Sequence, residues 1–253
     1  MVEIEKLNGR WVLPTQEIIK DIVRVWNRYA RVHDRLMVTP LFKHTAKVLL
    51  DAIVPCPGGI VHDGGTGTGY WISDILEKTG AGKIIATDIS RKMIRKAKKR
   101  VKKMDPEIKE KIKLEKMDLL KEWPDEMFDL QVFQLMLNYL PNHQWKDVAK
   151  RAIDTTKKGG HIFYSIMLRG FNVKEIAKEH LLEQMRGTPI SSFPAMIFSA
   201  IIMKDIDDFI AEDKIIPPEK KEFLEFHRIH NCKVEVIDEV IWGAGIVVKV
   251  KKL

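Results

Sequence analysis

The segment that decides the fold is Ile60-Val61-His62-Asp63-Gly64-Gly65-Thr66-Gly67-Thr68-Gly69-Tyr70, in which four glycines fall within six positions after a short apolar run. Glycine lets backbone N–H groups approach a ligand closely and adopts left-handed conformations at little cost. A glycine loop between a strand and a helix lies at the carboxyl edge of an α/β sheet, where such folds bind ligands. The segment therefore predicts a strand over 60–63 followed by a ligand-binding loop.

The glycine spacing excludes two common nucleotide-binding loops. A G-x-G-x-x-G loop that begins at Gly65 requires glycine at position 70, which is Tyr70. A phosphate-binding G-x-x-x-x-G-K-[ST] loop requires lysine after its last glycine, and Gly69 is followed by the same tyrosine. What remains is an acid with glycines at the second, fourth and sixth positions after it: Asp63, Gly65, Gly67 and Gly69.

Strands and helices alternate after this loop. The hydrophobic pattern predicts strands over 83–88, 112–117, 128–133 and 161–166, and helices over 69–78, 90–103 and 142–157. Two amphipathic helices are predicted before the loop, over 15–35 and 40–53. Residues 170–230 are predicted to be mostly helical, and strands over 233–237 and 246–250 are predicted to form a closing hairpin. Such alternation indicates βαβ units, and hence a parallel sheet that is covered on both faces.

Composition restricts the class of protein. Of the 253 residues, 45% are hydrophobic and 31% are charged, which is typical of a folded, soluble chain. The longest nearly uncharged apolar stretch, 193–203, is about half of the roughly 20 residues that a membrane span needs. The two cysteines show no disulfide or metal spacing and the N-terminus lacks a secretory signal, so a cytoplasmic protein is expected. The net charge of +8 leaves nucleic acid or an anionic surface open as partners.

The pattern of one acid and three glycines resembles the first motif of the class I S-adenosylmethionine-dependent methyltransferases, and the resemblance extends over residues 58–168. Asp88, which ends the second predicted strand and precedes Ile89, resembles the acid that binds both ribose hydroxyls. Met117-Asp118-Leu119 resembles the adenine-binding turn, in which the aspartate takes the exocyclic amine and apolar neighbours sandwich the ring. Two further landmarks of the family are matched by Phe128-Asp129-Leu130 and Lys158-Gly159-Gly160.

The resemblance implies a Rossmann-like, doubly wound α/β fold with a mostly parallel seven-stranded sheet, a C-terminal antiparallel hairpin and a helical lid. It implies S-adenosyl-L-methionine as cofactor, S-adenosyl-L-homocysteine as product and no metal ion. Residues 58–169 and 231–253 are expected to form the core, 1–57 to cap the cofactor site and 170–230 to cover the substrate site. The cofactor-binding residues implied are Asp63, Gly65, Thr66, Gly67, Gly69, Asp88, Ile89, Met117, Asp118, Leu119 and Gln134.

The sequence favours a small acceptor molecule over a nucleobase. The fourth strand ends in Gln134-Leu135-Met136-Leu137-Asn138-Tyr139, which lacks the [DNS]-P-P-[YFW] motif that the resembling enzymes use on amide and exocyclic nitrogens. The segment 26–37 resembles the N-terminal segment of enzymes related to the quinone C-methyltransferases, with His33-Asp34 in place of the usual Tyr-Asp. In that group the segment folds over the cofactor. Tyr29 and His33 are therefore the candidate catalytic residues, and His33 is a candidate base.

Two regions leave the partner open. The apolar residues of 171–186 and 191–212 suit a hydrophobic or lipid-like substrate, but an accessory core or a homo-oligomer contact explains them as well. The basic run 91–103 carries an apolar stripe, which favours a solvated outer face over contact with RNA or a membrane. We expect a small-molecule methyltransferase; an RNA methyltransferase and a non-catalytic binding subunit are the alternatives.

Four histidines have no functional role assigned by these motifs. His62 stands where the resembling enzymes have an apolar residue, and a core histidine with satisfied ring nitrogens is favoured over a role near the cofactor. His180, His227 and His230 are unassigned, and a metal site there is the less favoured interpretation.

Overall fold

A seven-stranded mixed sheet forms the centre of the protein. It is seen in a computed structural model that describes residues 5–7, 10–12, 15–141, 143–170, 172, 175–176, 178, 182, 204, 208–210, 212 and 214–253. The strands of the sheet are β3 (Ile60–Gly64), β4 (Lys83–Asp88), β5 (Ile112–Lys116), β6 (Phe128–Gln134), β7 (Thr156–Met167), β8 (Cys232–Val240) and β9 (Gly245–Lys252). A separate hairpin of β1 (Glu5–Leu7) and β2 (Arg10–Val12) was not predicted from the sequence.

The strand order is β5-β4-β3-β6-β7-β9-β8, which confirms the predicted doubly wound topology. Strands β3 to β7 pair in parallel, β9 pairs antiparallel with β7, and β8 pairs antiparallel with β9. The chain therefore reverses direction along the sheet between β5 and β6. The carboxyl ends of β3, β4, β5 and β6 meet at one edge, where open α/β sheets bind ligands.

The helices cover both faces of the sheet and its carboxyl edge. They are α1 (Thr15–Tyr29), α2 (His33–Met37), α3 (Pro40–Ala52), α4 (Ile72–Thr79), α5 (Arg91–Val101), α6 (Pro106–Glu110), α7 (Trp145–Thr155) and α8 (Lys220–Ile229), with a 3-10 turn at Leu137–Tyr139. The helix predicted over 15–35 is two helices, because residues 30–32 form a turn. The region 170–230 was predicted to be mostly helical, and its apolar segments 171–186 and 191–212 lie largely outside the described residues. None of the described helices is long and apolar enough to cross a bilayer.

The helix α5 shows how the sequence pattern positions the elements. Its apolar stripe of Met93, Ile94, Ala97 and Val101 is buried, as predicted, and its basic residues lie on the other side. The Ser90 hydroxyl caps its first turn by accepting the N–H of Met93 at 3.2 Å. The strands β3, β4 and β6 are buried almost throughout, as expected of parallel strands covered on both faces.

His62 is a structural residue of the core, as the sequence favoured. It is fully buried on β3, where Nδ1 lies 2.9 Å from Gln131 Oε1 and Nε2 lies 3.0 Å from Thr87 Oγ1. Gln131 uses its Nε2 to donate to Ala152 O, so its Oε1 accepts from His62 Nδ1 and the Thr87 hydroxyl donates to His62 Nε2. Burial lowers the pKa of His62 to about 4, so the ring is neutral at physiological pH.

This arrangement predicts that His62→Phe changes how stability depends on pH. Because the folded-state pKa of His62 is depressed, its contribution is present above pH 6.5 and is lost as the pH falls towards 4, by about 1.4 kcal/mol per pH unit. The variant should be less stable than the wild type at pH 7.5, since Gln131 and Thr87 lose their partner. The gap should shrink by about 2 kcal/mol at pH 5, measured by urea unfolding. A gap that does not change with pH would contradict this assignment.

Candidate functional site

A cavity runs along the carboxyl edge of the sheet, between the strand ends and the N-terminal helices. Asp118 follows β5, Asp88 ends β4 and Asp63 lies near the end of β3, so three carboxylates line the end of the cavity above these neighbouring strands. Of the predicted cofactor-binding residues, the lining includes Asp63, Gly65, Thr66, Gly67, Asp88, Ile89, Met117, Asp118, Leu119 and Gln134.

The other end of the cavity is apolar. Met167 ends β7 and Ile241 follows β8, so this end lies above the opposite half of the sheet. It is closed by side chains from α1, α2, α3 and the segment after β6: Ile19, Ile22, Trp26, Leu36, Met37, Leu41, Phe42, Leu135, Met136, Tyr139 and Leu140. Burial raises the pKa of Tyr139, so its hydroxyl stays protonated at neutral pH.

The glycine loop follows a left-handed path that glycine allows at little cost. Gly65 has φ +78°, Gly67 has φ +58° and Gly69 has φ +69°. The N–H of Gly65 donates to Thr87 O at 2.8 Å, which ties the loop to β4. A Cβ on Gly65 would lie 2.4 Å from Met136 Cγ, and one on Gly67 would lie 3.0 Å from His33 Cε1. The bare backbone therefore also lets neighbouring side chains close over the loop.

Gly69 is the one predicted cofactor-binding residue that does not line the cavity. A Cβ at this position would lie 3.0 Å from Ile72 Cδ1 and 3.2 Å from Ala97 Cβ. Gly69 thus allows the loop to pack closely against α4 and α5.

The Asp88 carboxylate organises the loop. One oxygen accepts the N–H of Gly67 at 2.9 Å, and the other accepts the N–H of Ser90 at 2.7 Å. Burial raises the pKa of Asp88, the two backbone donors act in the opposite direction, and His33 also lowers it. Each oxygen has a further lone pair with which to accept a hydroxyl donor from a ligand.

Asp63 is the more strongly perturbed acid. It is 6% exposed, and burial raises its pKa to about 6; the neighbouring Asp88 adds to this increase, while Thr66 opposes it. Among the described residues, no lysine or arginine lies within ion-pair distance of Asp63 or Asp88. Such a site stabilises a cationic ligand and repels phosphate groups, which argues against a dinucleotide on electrostatic as well as sequence grounds.

The adenine-binding turn predicted from the sequence lies beside Asp88. The N–H of Met117 donates to Asp88 O at 3.0 Å, so the turn after β5 is tied to the end of the neighbouring strand β4. The Asp118 carboxylate accepts the N–H of Leu120 at 3.2 Å and lies 3.7 Å from Lys121 Nζ. Met117 and Leu119 line the cavity on either side of it in sequence.

The two predicted catalytic residues have different environments. His33 lines the cavity at the start of α2, and its Nδ1 lies 3.2 Å from Thr68 Oγ1. Tyr29 is 2% exposed and does not line the cavity; its hydroxyl accepts from Arg28 at 2.9 Å. The position of Tyr29 is that of a packing residue, and we leave it out of the proposed site.

Some residues of the site were not predicted from the sequence. Trp26 lines the cavity with its ring edge-on to Tyr139 at 4.8 Å. Asn27 Oδ1 accepts the Ser90 hydroxyl at 3.0 Å and the N–H of Lys92 at 3.1 Å, which ties α1 to the start of α5. The apolar face of α1 was visible in the sequence, but its periodicity does not distinguish cavity from core.

The histidines near the C-terminus bond to the backbone. His227 Nδ1 lies 2.8 Å from Phe223 O, and His230 Nδ1 lies 2.6 Å from Phe226 O. Within the described residues, no group of three potential ligands is arranged to hold a metal ion. His180 lies outside those residues.

The strand order and the acidic cavity define a protein of the class I methyltransferase fold. Residues 61–160 match the family model described as "Methyltransferase domain". This part of the chain is therefore similar to a methyltransferase domain. No curated protein matches the chain in sequence.

Solved structures share this fold across nearly the whole chain. A complex of DhpI with SAH is 15% identical with a TM-score of 0.63, over 94% of this chain and 98% of that chain. The N-methyltransferase NodS from Bradyrhizobium japonicum WM9, in complex with S-adenosyl-L-homocysteine, is 12% identical with a TM-score of 0.59, over 91% and 98%. A putative methyltransferase in complex with the Haloferax volcanii activator Trm112 is 15% identical with a TM-score of 0.59, over 90% and 98%. At sequence identities of 12–15%, the similarity to these structures shows a shared fold and no more.

The packing of Met136 over the loop predicts that Gly65→Ala lowers the free energy of unfolding by a large amount. The left-handed φ costs alanine about 1–2 kcal/mol, and displacing Met136 adds about 1–3 kcal/mol. Gly159→Ala is the matched control, because Gly159 has φ +79° but no atom within 4 Å of the added Cβ. Urea unfolding should show the larger loss for Gly65→Ala, partly restored by adding Met136→Ala. Equal losses at the two glycines would show that Met136 does not restrict the loop.

Proposed function

We propose that the protein is an S-adenosylmethionine-dependent methyltransferase that methylates a small, apolar molecule by in-line displacement. The observation that carries this proposal is a single cavity with three carboxylates at one end and apolar side chains at the other. The first end suits a cationic nucleoside and the second suits an apolar acceptor. The DhpI and NodS structures, which share the fold, contain SAH.

The acidic end fits the methyl donor in charge and in hydrogen bonding. Asp88 keeps free lone pairs for the two ribose hydroxyls, and Asp118 is placed for the exocyclic amine of adenine between Met117 and Leu119. Asp63 has no cationic partner among the described residues and is suited to the amino group. When bound, S-adenosylmethionine supplies a methyl group on a positively charged sulfonium, so the chain mainly has to align an acceptor with it.

The apolar end determines what kind of acceptor fits. Trp26 on α1, Phe42 on α3, Met167 at the end of β7 and Ile241 after β8 give this end of the cavity an apolar lining. Trp71 also lines the cavity, and its indole Nε1 is buried without a hydrogen-bond partner among the described residues, so a polar atom of a ligand is the kind of partner that it lacks. These features favour a small molecule.

RNA is the second candidate acceptor because of the charge on α5. Seven of its eleven residues, in RKMIRKAKKRV, are lysine or arginine and none is acidic. Five of the seven are exposed: Arg91, Lys92, Arg95, Lys98 and Lys99. Such a face attracts polyanions, but its buried stripe accounts for the helix without a partner. The acceptor experiment below includes RNA for this reason.

The raised pKa of Asp63 predicts that the affinity for the cofactor rises with pH. A cationic ligand binds the ionised form of Asp63, and at pH 5, one unit below its pKa of about 6, roughly a tenth of the carboxyl is ionised. Isothermal titration should therefore find S-adenosylmethionine binding about tenfold weaker at pH 5 than at pH 7.5. Asp63→Asn should weaken binding at pH 7.5 and remove most of this dependence.

Asp74→Asn is the matched control for this titration. The Asp74 carboxyl also has a pKa raised by burial, but it lies on α4 and does not line the cavity. This variant should keep the wild-type pH dependence. Wild-type affinity that is flat, or that increases towards pH 5, would contradict the placement of Asp63 at the cationic end.

The acceptor class is tested by methyl labelling of a host extract. Wild-type protein and tritiated S-adenosylmethionine are incubated with the extract, which is then separated into lipid, small-molecule, RNA and protein fractions. We expect label in the small-molecule or lipid fraction, and none with Asp88→Asn, because that substitution removes the carboxylate that organises the loop. Label confined to RNA would favour the second candidate. Cofactor binding without transfer to any fraction would indicate a non-catalytic binding subunit.

A further inference from the structure

Four side chains form a connected chain beside the glycine loop. His33 Nδ1 lies 3.2 Å from Thr68 Oγ1, and the Thr68 hydroxyl donates to Asp34 Oδ1. Arg100 Nη2 donates to the other oxygen of Asp34 at 2.8 Å. Arg100 Nε also donates to Thr68 O at 3.3 Å. The chain therefore links α2, the glycine loop and α5.

The direction of each hydrogen bond follows from the charge of Asp34. Burial raises the pKa of Asp34, but His33, Thr68, Arg100 and Lys96 lower it to about 2, so the carboxylate is ionised and only accepts. The Thr68 hydroxyl must then donate its one hydrogen to Asp34 and accept at its oxygen. His33 Nδ1 is the donor to that oxygen. In the neutral ring, Nε2 is left with a free lone pair.

The free nitrogen lies beside the loop that lines the cavity. Nε2 is 3.1 Å from the position that a Cβ on Gly67 would occupy, and the ring lies edge-on to Trp26 at 6.4 Å. The charged groups around it are Asp34 on its own helix, Asp88 at the end of β4, and Arg100 and Lys96 on α5. Tyr70, which stacks under Arg100, is the neighbouring titratable group of the loop.

We propose that His33 is the general base of the proposed methyl transfer, that Thr68, Asp34 and Arg100 are positioning residues which hold its proton on Nδ1, and that the acceptor atom carries a proton. This inference rests on the proposed function and narrows it to an O–H or N–H group on an apolar frame. As the acceptor atom bonds to the methyl carbon, its proton passes to Nε2, and the electron pair of the broken carbon–sulfur bond stays with sulfur. The resulting imidazolium later releases the proton to water.

Tyr139 and the three acids that line the cavity are less suited to this task. The Tyr139 hydroxyl stays protonated because burial raises its pKa. Asp63, Asp88 and Asp118 lie above β3, β4 and β5, at the end proposed for the cofactor. His33 begins α2, whose Leu36 and Met37 line the apolar end proposed for the acceptor. A base is needed only when the attacking atom must lose a proton, so its presence specifies the acceptor.

The first test reads the proton position without any ligand. Nitrogen-15 NMR of the full chain, with His33 assigned by comparison with His33→Asn, should show at neutral ring charge a protonated Nδ1 and an unprotonated Nε2. Asp34→Asn should move the ring towards the other tautomer, because an amide can donate to Thr68 and reverse the chain. A wild-type ring protonated on Nε2 would overturn the proposal, whether or not the protein binds S-adenosylmethionine.

The second test separates binding from turnover. His33→Asn should leave the affinity for S-adenosylmethionine within about twofold of the wild-type value. It should lower the rate of methyl transfer to the labelled extract fraction by about 100-fold or more, and the remaining rate should no longer fall at low pH. Asp34→Asn should lower the rate of methyl transfer and change the pH at which the rate begins to fall. His44→Asn, at an exposed position of α3, is the control and should change neither quantity.

Two results of the second test would overturn the role of His33. If His33→Asn lowers the affinity for S-adenosylmethionine as much as it lowers the transfer rate, His33 is a cofactor ligand. If the transfer rate does not change, His33 is a packing residue. If the wild-type protein does not bind S-adenosylmethionine, the proposed function fails, and the NMR result still decides the proton position.

Discussion

The contact on which the site depends is the pair of hydrogen bonds from Gly67 and Ser90 to the Asp88 carboxylate. It joins the glycine loop after β3 to the first turn of α5, so two separate βα connections take up one geometry. Asn27 extends the contact to α1 by accepting from Ser90 and Lys92. A single, partly buried carboxylate therefore positions the loop, the helix beside it and the helix that covers both.

The cavity has its two chemical ends because of the topology of the sheet. The strand order places β5, β4 and β3 on one side of β6, and β7, β9 and β8 on the other. The acids lie at or just beyond the carboxyl ends of the first three strands, whereas Met167 and Ile241 lie at the ends of strands of the second three. A cationic nucleoside and an apolar acceptor can then lie end to end across β6, with α1, α2 and α3 closing the cavity above them.

The features that were predictable from the sequence are those with a regular pattern. The bounds of β4 and the buried stripe of α5 agree with the sequence analysis, and Asp63, Asp88 and Asp118 meet because parallel strands share a carboxyl edge. That Trp26 lines the cavity and Tyr29 does not was not predictable. Both occupy the apolar face of α1, and only tertiary packing decides which of them reaches the cavity. The hairpin of β1 and β2 could have been predicted from the sequence, because Asn-Gly, which favours tight hairpin turns, stands at positions 8 and 9 between its two strands. The chain of His33, Thr68, Asp34 and Arg100 joins distant segments and left no sequence signal beyond the His33-Asp34 pair.

The measurement that tests the central claim most directly is a side-by-side titration of the protein with S-adenosylmethionine and with NAD at low ionic strength. The acidic cavity should bind one equivalent of the cationic nucleoside. It should not bind the dinucleotide, because the pyrophosphate would lie against Asp63 and Asp88 without a neutralising cation from the described part of the chain. Saturable binding of NAD, with none of S-adenosylmethionine, would contradict the account.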